Sequence, residues 1–217
     1  FLYTHPKYSQ LIFYGGSCLA HCYGLPRLSE DLDFVDATKK IELSELARAL
    51  KDFFDKKTNI AADVKIQKFR IYLKFPILED LGLAEKGESN YLLLKVEIFS
   101  NFDFCKSYKM ENIPLFKFNK SMIIKTFDLP TLMSTKIMAI LYRQWEKTDK
   151  EGRTLIRAKG RDFFDLMWYF EKNIKPNLSC FNLSANALKE KLLFIIKNLD
   201  KKSIIGDLEP LIDNPKF

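Results

Sequence analysis

The chain has 217 residues, room for one large globular domain or two small ones sharing an interface. Hydrophobic residues make up 47% of it and Phe alone contributes 19, which excludes intrinsic disorder, and only eight Gly and eight Pro exclude a linker-like or collagenous chain. Lys and Arg outnumber Asp and Glu by 35 to 28, a formal charge of +7 that suits an anionic partner without naming one and equally suits simple solubility.

In chain order, residues 10–16, QLIFYGG, read as a short apolar strand running into a Gly pair. Residues 17–24 read as one or two helical turns with Ser17 as N-cap. After Gly24 and Pro26, Leu32 and Phe34 alternate with Asp31 and Asp33, so a strand there carries both carboxylates on one face. Residues 41–57 have the apolar spacing of an amphipathic helix. Residues 64–75 alternate as one strand, 79–90 form a polar, Gly-bearing connection, and 91–99 form another strand with Lys95 and Glu97 opposite its apolar face. From about residue 128 the period becomes helical. Asp128 before Pro130 starts a helix that continues over 132–147, a charged segment over 148–160 interrupts it, and two more helices span 161–173 and 185–198. The expected fold class is α/β (α+β), with a mixed-sheet core over 1–127 and a helical part over 128–217.

Charge is unevenly divided along this order. Residues 1–63 hold eight basic and nine acidic side chains, which leaves 27 against 19 for the remainder. The four cysteines show no CxxC spacing and no secreted-scaffold density, so reduced thiols in a cytoplasmic protein are expected. Cys18, His21 and Cys22 could ligate a metal by type, but their spacing is that of one helical turn of small and apolar residues and is read as such rather than as a zinc site. No apolar stretch approaches the ~20 residues of a membrane span, and the start lacks the order of a signal peptide.

Asp31 and Asp33, two apart on a strand, lie about 7 Å apart at Cα. Both can converge on one or two hard divalent cations, which relieve their repulsion and also bind phosphate oxygens. Glu97 is the best-placed third carboxylate. Gly15 and Gly16 let the backbone approach a ligand, and Ser17 with the helix start offers donors to a triphosphate. Farther on, Lys136 and Arg143 are seven apart and share a helical face suited to clamping phosphates. Asp162 and Asp165 lie three apart on the next helix. Arg143 and Asp165 can be read as a buried ion pair locking two helices or as catalytic. Between residues 143 and 161 there are seven cations, three acids and Trp145, a segment that is either simply solvated or a polyanion contact. Trp168, Tyr169 and Phe170 read as core.

The order of Gly16-Ser17, Asp31-Leu32-Asp33 and a later acid on an apolar strand resembles the nucleotidyltransferase superfamily that includes DNA polymerase β. GGSCLAHCYGLPRLSEDLDF (15–34) resembles the first motif of the AbiEii/AbiGii toxin family. KIMAILYRQWEK and GRDFFDLMWYF, within 136–170, resemble its second. The resemblance implies that Asp31 and Asp33 ligate Mg²⁺, two ions or Mn²⁺ in their place, with Glu97 either a third ligand or a contact to the acceptor hydroxyl. It implies that Gly16 and Ser17 grip the triphosphate, that Lys136 contacts a nucleotide phosphate, that Asp162 supports the active site, and that Arg27 and Ser29 brace or contact the nucleotide. Asp165 and Arg161 would be supporting residues.

The expected reaction is transfer of an NMP from an NTP (ATP, GTP or CTP) to an acceptor hydroxyl, with the nucleotide in a cleft between the two parts. The family resemblance points to a tRNA 3′ end as acceptor, to a toxin–antitoxin role, and to an antitoxin that neutralises without a stable complex. Alternative acceptors are a protein or an aminoglycoside-like small molecule. A different class of function is a non-catalytic RNA-binding module on the same fold.

Overall fold

The computed structural model describes residues 1–58, 60–117, 119–143, 147, 148, 154–156 and 159–212, with backbone alone at 147, 148 and 154–156. The chain divides into two compact units. The first comprises residues 1–18, 30–102 and 112–126, and the second 19–29, 103–111 and 127–217. Among the described residues no helix is long and apolar enough to cross a membrane.

Among the described residues a mixed seven-stranded sheet and six α-helices make an α+β protein. Strand β1 (Ile12–Tyr14) leads through helix α1 (Gly15–Cys18) and a π-helical turn (Leu19–Tyr23) to β2 (Asp31–Val35). Helix α2 (Leu43–Lys57), β3 (Asp63–Gln67), β4 (Arg70–Pro76), β5 (Tyr91–Phe99), β6 (Met110–Lys117) and β7 (Lys120–Phe127) follow. The sheet order is β3-β4-β5-β2-β1-β7-β6. β2 runs antiparallel to β1 and parallel to β5, and β1 runs parallel to β7. The alternation read from β4 is observed: Ile71, Leu73 and Phe75 are buried, and α2 covers β3 and β4 with Leu46, Ala47 and Leu50. The rings of Phe54 and Phe75 meet at 4.8 Å, tying the helix to the sheet.

Helix α3 (Leu129–Tyr142) begins at Asp128, whose carboxylate accepts from Thr131 N at 3.1 Å, as the Asp-x-Pro start predicts. After the short strands β8 (Lys147–Thr148) and β9 (Thr154–Ile156) come α4 (Gly160–Glu171), α5 (Ala185–Lys197) and α6 (Lys201–Leu208). Their core includes Leu132, Met133 and Ile137 from α3, Leu166 and Tyr169 from α4, and Leu188 and Leu192 from α5. Trp168 is buried as expected, whereas Phe170 is 56% exposed, a correction to the core reading. Gly160 sits so close to α6 that a Cβ would overlap the carbonyl of Ile204.

Several expectations need correcting. The strand expected over 64–75 is a hairpin that turns at Lys68, whose backbone is left-handed (φ 55°), with Gln67 opposite Arg70. Its alternation does not show the turn because both arms keep the same period. Strands β6 and β7 and helix α6 carried too little apolar contrast to be read. Helix α3 ends at Tyr142 rather than at 147, Arg143 being extended (φ −78°, ψ 120°), and the interrupting segment contains the β8–β9 pair. Ser17 lies inside α1 and does not cap it. Cys105 and Cys180 are joined in a disulfide, which overturns the expectation of four reduced thiols, while Cys18 and Cys22 are not disulfide-bonded.

Candidate active site

In the first unit the sheet gathers charge onto one face. β2 pairs with β5 so that Asp31 stands opposite Lys95 and Asp33 opposite Glu97. Laterally paired residues share a face, so all four do, and Arg70 joins them through its pairing with Glu97. Lys95 Nζ lies 2.7 Å from Asp31 Oδ2 and 3.0 Å from Glu97 Oε1, and Arg70 Nε lies 2.7 Å from Glu97 Oε1. Three carboxylates meet two cations, and the face retains a formal charge of −1. Burial works against the Lys95 ammonium, but its hydrogen bonds to Asp31 and Glu97 prevail and hold its pKa above the ordinary lysine value.

The Gly pair has a local reason. Gly15 has φ +78°, and a Cβ there would overlap the carboxylate of Asp33. Glycine is thus the residue that lets the chain turn from β1 into α1 directly against that carboxylate. Gly16 is buried behind it. The buried hydroxyl of Ser17 donates to the carbonyl of Asp31, fastening α1 to the start of β2. Asp31 and Asp33 are both partly accessible. Their hard oxygens on one face suit a hard divalent cation, provided Lys95 parts from Asp31. Among the described residues no three His, Cys, Asp or Glu side chains stand together at metal-holding distances.

In the second unit a cationic cluster joins α3 and α4. Arg27 forks onto Asp165, Nε to Oδ1 at 2.6 Å and Nη2 to Oδ2 at 2.7 Å, while its Nη1 donates to Leu28 O at 2.8 Å. Lys136 Nζ bridges Asp165 Oδ2 at 2.7 Å and Asp162 Oδ1 at 3.1 Å, and Arg143 Nη1 reaches Asp162 Oδ2 at 3.1 Å. Three cations face two carboxylates, leaving +1. Burial opposes the charge on Lys136, yet Asp165 and Asp162 keep its pKa above the ordinary value. Burial likewise opposes the charge on Asp162, and Lys136, Arg143 and Lys159 outweigh it and hold that carboxyl low.

The alternative pairing of Arg143 with Asp165 is corrected: Asp165 is fully buried and taken by Arg27 and Lys136, and Arg143 pairs with Asp162. Arg27, 5% exposed, is a brace. Ser29 is half-buried, and Arg161 holds Asp207 of α6 through its backbone N–H at 3.0 Å and its guanidinium at 3.4 Å. Of the basic segment, Trp145, Lys147, Lys150, Arg153 and Arg157 lie outside residues whose side chains are described. The sequence reading missed Lys95 and Arg70 as members of the acidic face. Lys95 is two residues from Glu97, but only the β2–β5 register shows that it meets Asp31.

A mixed sheet with a Gly-Gly-Ser turn abutting a strand that bears two carboxylates on one face defines a protein of nucleotidyltransferase-like fold. Residues 1–213 match the model of the nucleotidyl transferase AbiEii toxin family, type IV toxin–antitoxin systems, and the chain belongs to that family. Among solved structures, JHP933 from Helicobacter pylori is similar in fold, with 24% identity, a TM-score of 0.50, and coverage of 91% of this chain and 70% of that one. A proposed nucleotidyltransferase from H. pylori is similar at 25% identity and a TM-score of 0.50, covering 91% of this chain and 72% of that one. No curated protein matches the chain.

Proposed function

We propose that this chain transfers a nucleoside monophosphate from a nucleoside triphosphate to the 3′-terminal hydroxyl of tRNA, as the toxin of a toxin–antitoxin pair. The observation that carries the reading is the pair Asp31 and Asp33 on one strand face, with Gly15 admitting the chain against Asp33. Asp31 and Asp33 would hold Mg²⁺, which when bound supplies charge neutralisation at the reacting phosphates and lowers the pKa of the attacking hydroxyl.

The residues divide the remaining work. Lys95 withdraws from Asp31 and leaves its carboxylate to the cation. The Gly16-Ser17 backbone at α1 offers N–H donors to the triphosphate. Glu97 engages both its cations through Oε1, so Oε2 is the atom that takes the hydroxyl proton. The acceptor oxygen bonds to the α-phosphorus, the bond from that phosphorus to the bridging oxygen breaks, and pyrophosphate leaves. The type IV family implies a cognate antitoxin as partner.

The test incubates the chain with each α-labelled NTP, Mg²⁺ and total tRNA, alongside added protein and aminoglycoside acceptors. Label is expected in the tRNA fraction and is expected to vanish with Asp31→Ala/Asp33→Ala. Transfer that survives the double substitution, or that occurs with no NTP, sinks the reading. Label in another fraction replaces the acceptor.

A further inference from the structure

The sheet face that bears Asp31 and Asp33 continues past them onto β4 and β3. Strand register extends the row of Asp31 and Lys95 through Tyr72 to Lys65, and the row of Asp33 and Glu97 through Arg70 to Gln67. Toward the start of β5, Leu93 stands opposite Lys74 and Tyr91 opposite Pro76, on the same side. The other side of β4 is filled by Ile71, Leu73 and Phe75 beneath α2. This side is open: Tyr91 is 43% and Leu93 58% exposed, Lys65 is exposed, and Tyr72 and Lys74 are half-buried. The β3–β4 hairpin, residues 63–76, holds four cations, Lys65, Lys68, Arg70 and Lys74, against Asp63 alone. Arg70 is committed to Glu97, but Lys65, Lys68 and Lys74 pair with no carboxylate among the described residues. Lys74 Nζ instead lies 6.0 Å from the centre of the Tyr91 ring. Beyond the far end of these strands the connection over 79–90 carries four acids and one lysine, and the cationic surface ends there. Unpaired ammonium groups among aromatic rings on an open sheet suit a single-stranded nucleic acid, the cations taking phosphates and the rings taking bases. They suit a protein partner less, because the buried centre of a protein interface is depleted in lysine. An A-form duplex, whose base faces are hidden by stacking, could not use the rings.

We propose that this face is a track for the single-stranded 3′ end of an acceptor RNA, with Tyr72 and Tyr91 stacking its bases and Lys65, Lys68 and Lys74 holding its phosphates. Six residues of β5 separate Tyr91 from Glu97, about 20 Å along the strand, so the track leads a few unpaired nucleotides to the carboxylates. The proposal deepens the function above and rests on it only for the class of acceptor, since every residue of the track belongs to the first unit.

The test titrates a fluorescein-labelled single-stranded RNA octamer with the full chain, free of divalent ions and NTP, and follows anisotropy between about 50 and 200 mM salt. Lys65→Ala/Lys68→Ala/Lys74→Ala is expected to weaken binding more than about tenfold and to make the slope of log K against log salt shallower by about 2, since each lost phosphate contact removes about 0.7. Lys40→Ala/Lys56→Ala/Lys57→Ala removes as many cations from exposed positions elsewhere in the same unit and is expected to change neither. Tyr91→Ala is expected to weaken binding about tenfold with the slope unchanged, and Tyr91→Phe to retain it, because stacking needs the ring and not the hydroxyl. Equal losses in the two lysine triples, or unchanged binding in Tyr91→Ala, overturn the proposal. On the unsubstituted chain an octamer carrying 4-thiouridine is crosslinked by near-ultraviolet light and the peptides are mapped. Crosslinks are expected at Tyr72 or Tyr91, and crosslinks confined to other peptides overturn the proposal whether or not the variants fold. In the Asp31→Ala/Asp33→Ala chain octamer binding persists. Binding on the track without transfer activity thus defeats only the catalytic reading, and transfer to tRNA that the first lysine triple leaves unchanged defeats only the track.

Discussion

Gly15 shows how much of the acidic face rests on one missing methyl group. Its φ of +78° is a conformation that L side chains avoid, and the space a Cβ would need holds the Asp33 carboxylate. Backbone strain alone costs about 1 kcal/mol, and displacing Asp33 adds to it. Gly15→Ala is therefore expected to lower the urea midpoint by the equivalent of about 1–2 kcal/mol and to abolish transfer, whereas Gly82→Ala, at a left-handed turn with open space, costs only the strain. Equal loss in both variants would show that Asp33 does not set the requirement. Lys95 makes a related point from the other strand: one ammonium bridges Asp31 and Glu97 across the β2–β5 pair.

At the scale of elements, α3 and α4 are joined by charge as well as by apolar packing. Asp165 is fully buried and accepts from both Arg27 and Lys136, so Asp165→Ala leaves the buried Arg27 guanidinium without the carboxylate it forks onto, typically a cost of about 3–5 kcal/mol. Asp162 supplies the pH dependence. Burial resists its ionisation, but Lys136 and Arg143 hold its carboxyl below the ordinary 3.8. The unfolded chain therefore binds this proton first. The contribution of Asp162 is complete above 3.8 and is lost as the pH falls through the lower folded value. Asp162→Asn is expected to have a lower Tm at neutral pH and a flatter decline of Tm from about pH 4 downward than the unsubstituted chain. Parallel declines, followed by circular dichroism, would assign the acid sensitivity elsewhere.

At the scale of the whole molecule, the charge of +7 divides into a near-neutral stretch over 1–63 and an excess of 27 over 19 in the rest. If that excess meets RNA, binding of a single-stranded oligonucleotide is expected to weaken by more than about tenfold between 50 and 200 mM salt, as filter binding would show, because each neutralised phosphate releases counterions. A flat response would exclude a polyanionic acceptor. The sequence alone determined what depends on neighbours along the chain. The Asp31/Asp33 face follows from period two, the α3 start from Asp128 and Pro130, and the helical halves of α2, α4 and α5 from apolar spacing. The motif order in 15–34 and 136–170 was equally legible, because a motif is local. The tertiary structure decided which distant residues share a charge. It set Lys95 on Asp31, gave Asp165 to Arg27 rather than Arg143, and joined Cys105 to Cys180. Strand register and helix packing bring together side chains up to 138 positions apart, and no periodicity within one element records which partner it will meet.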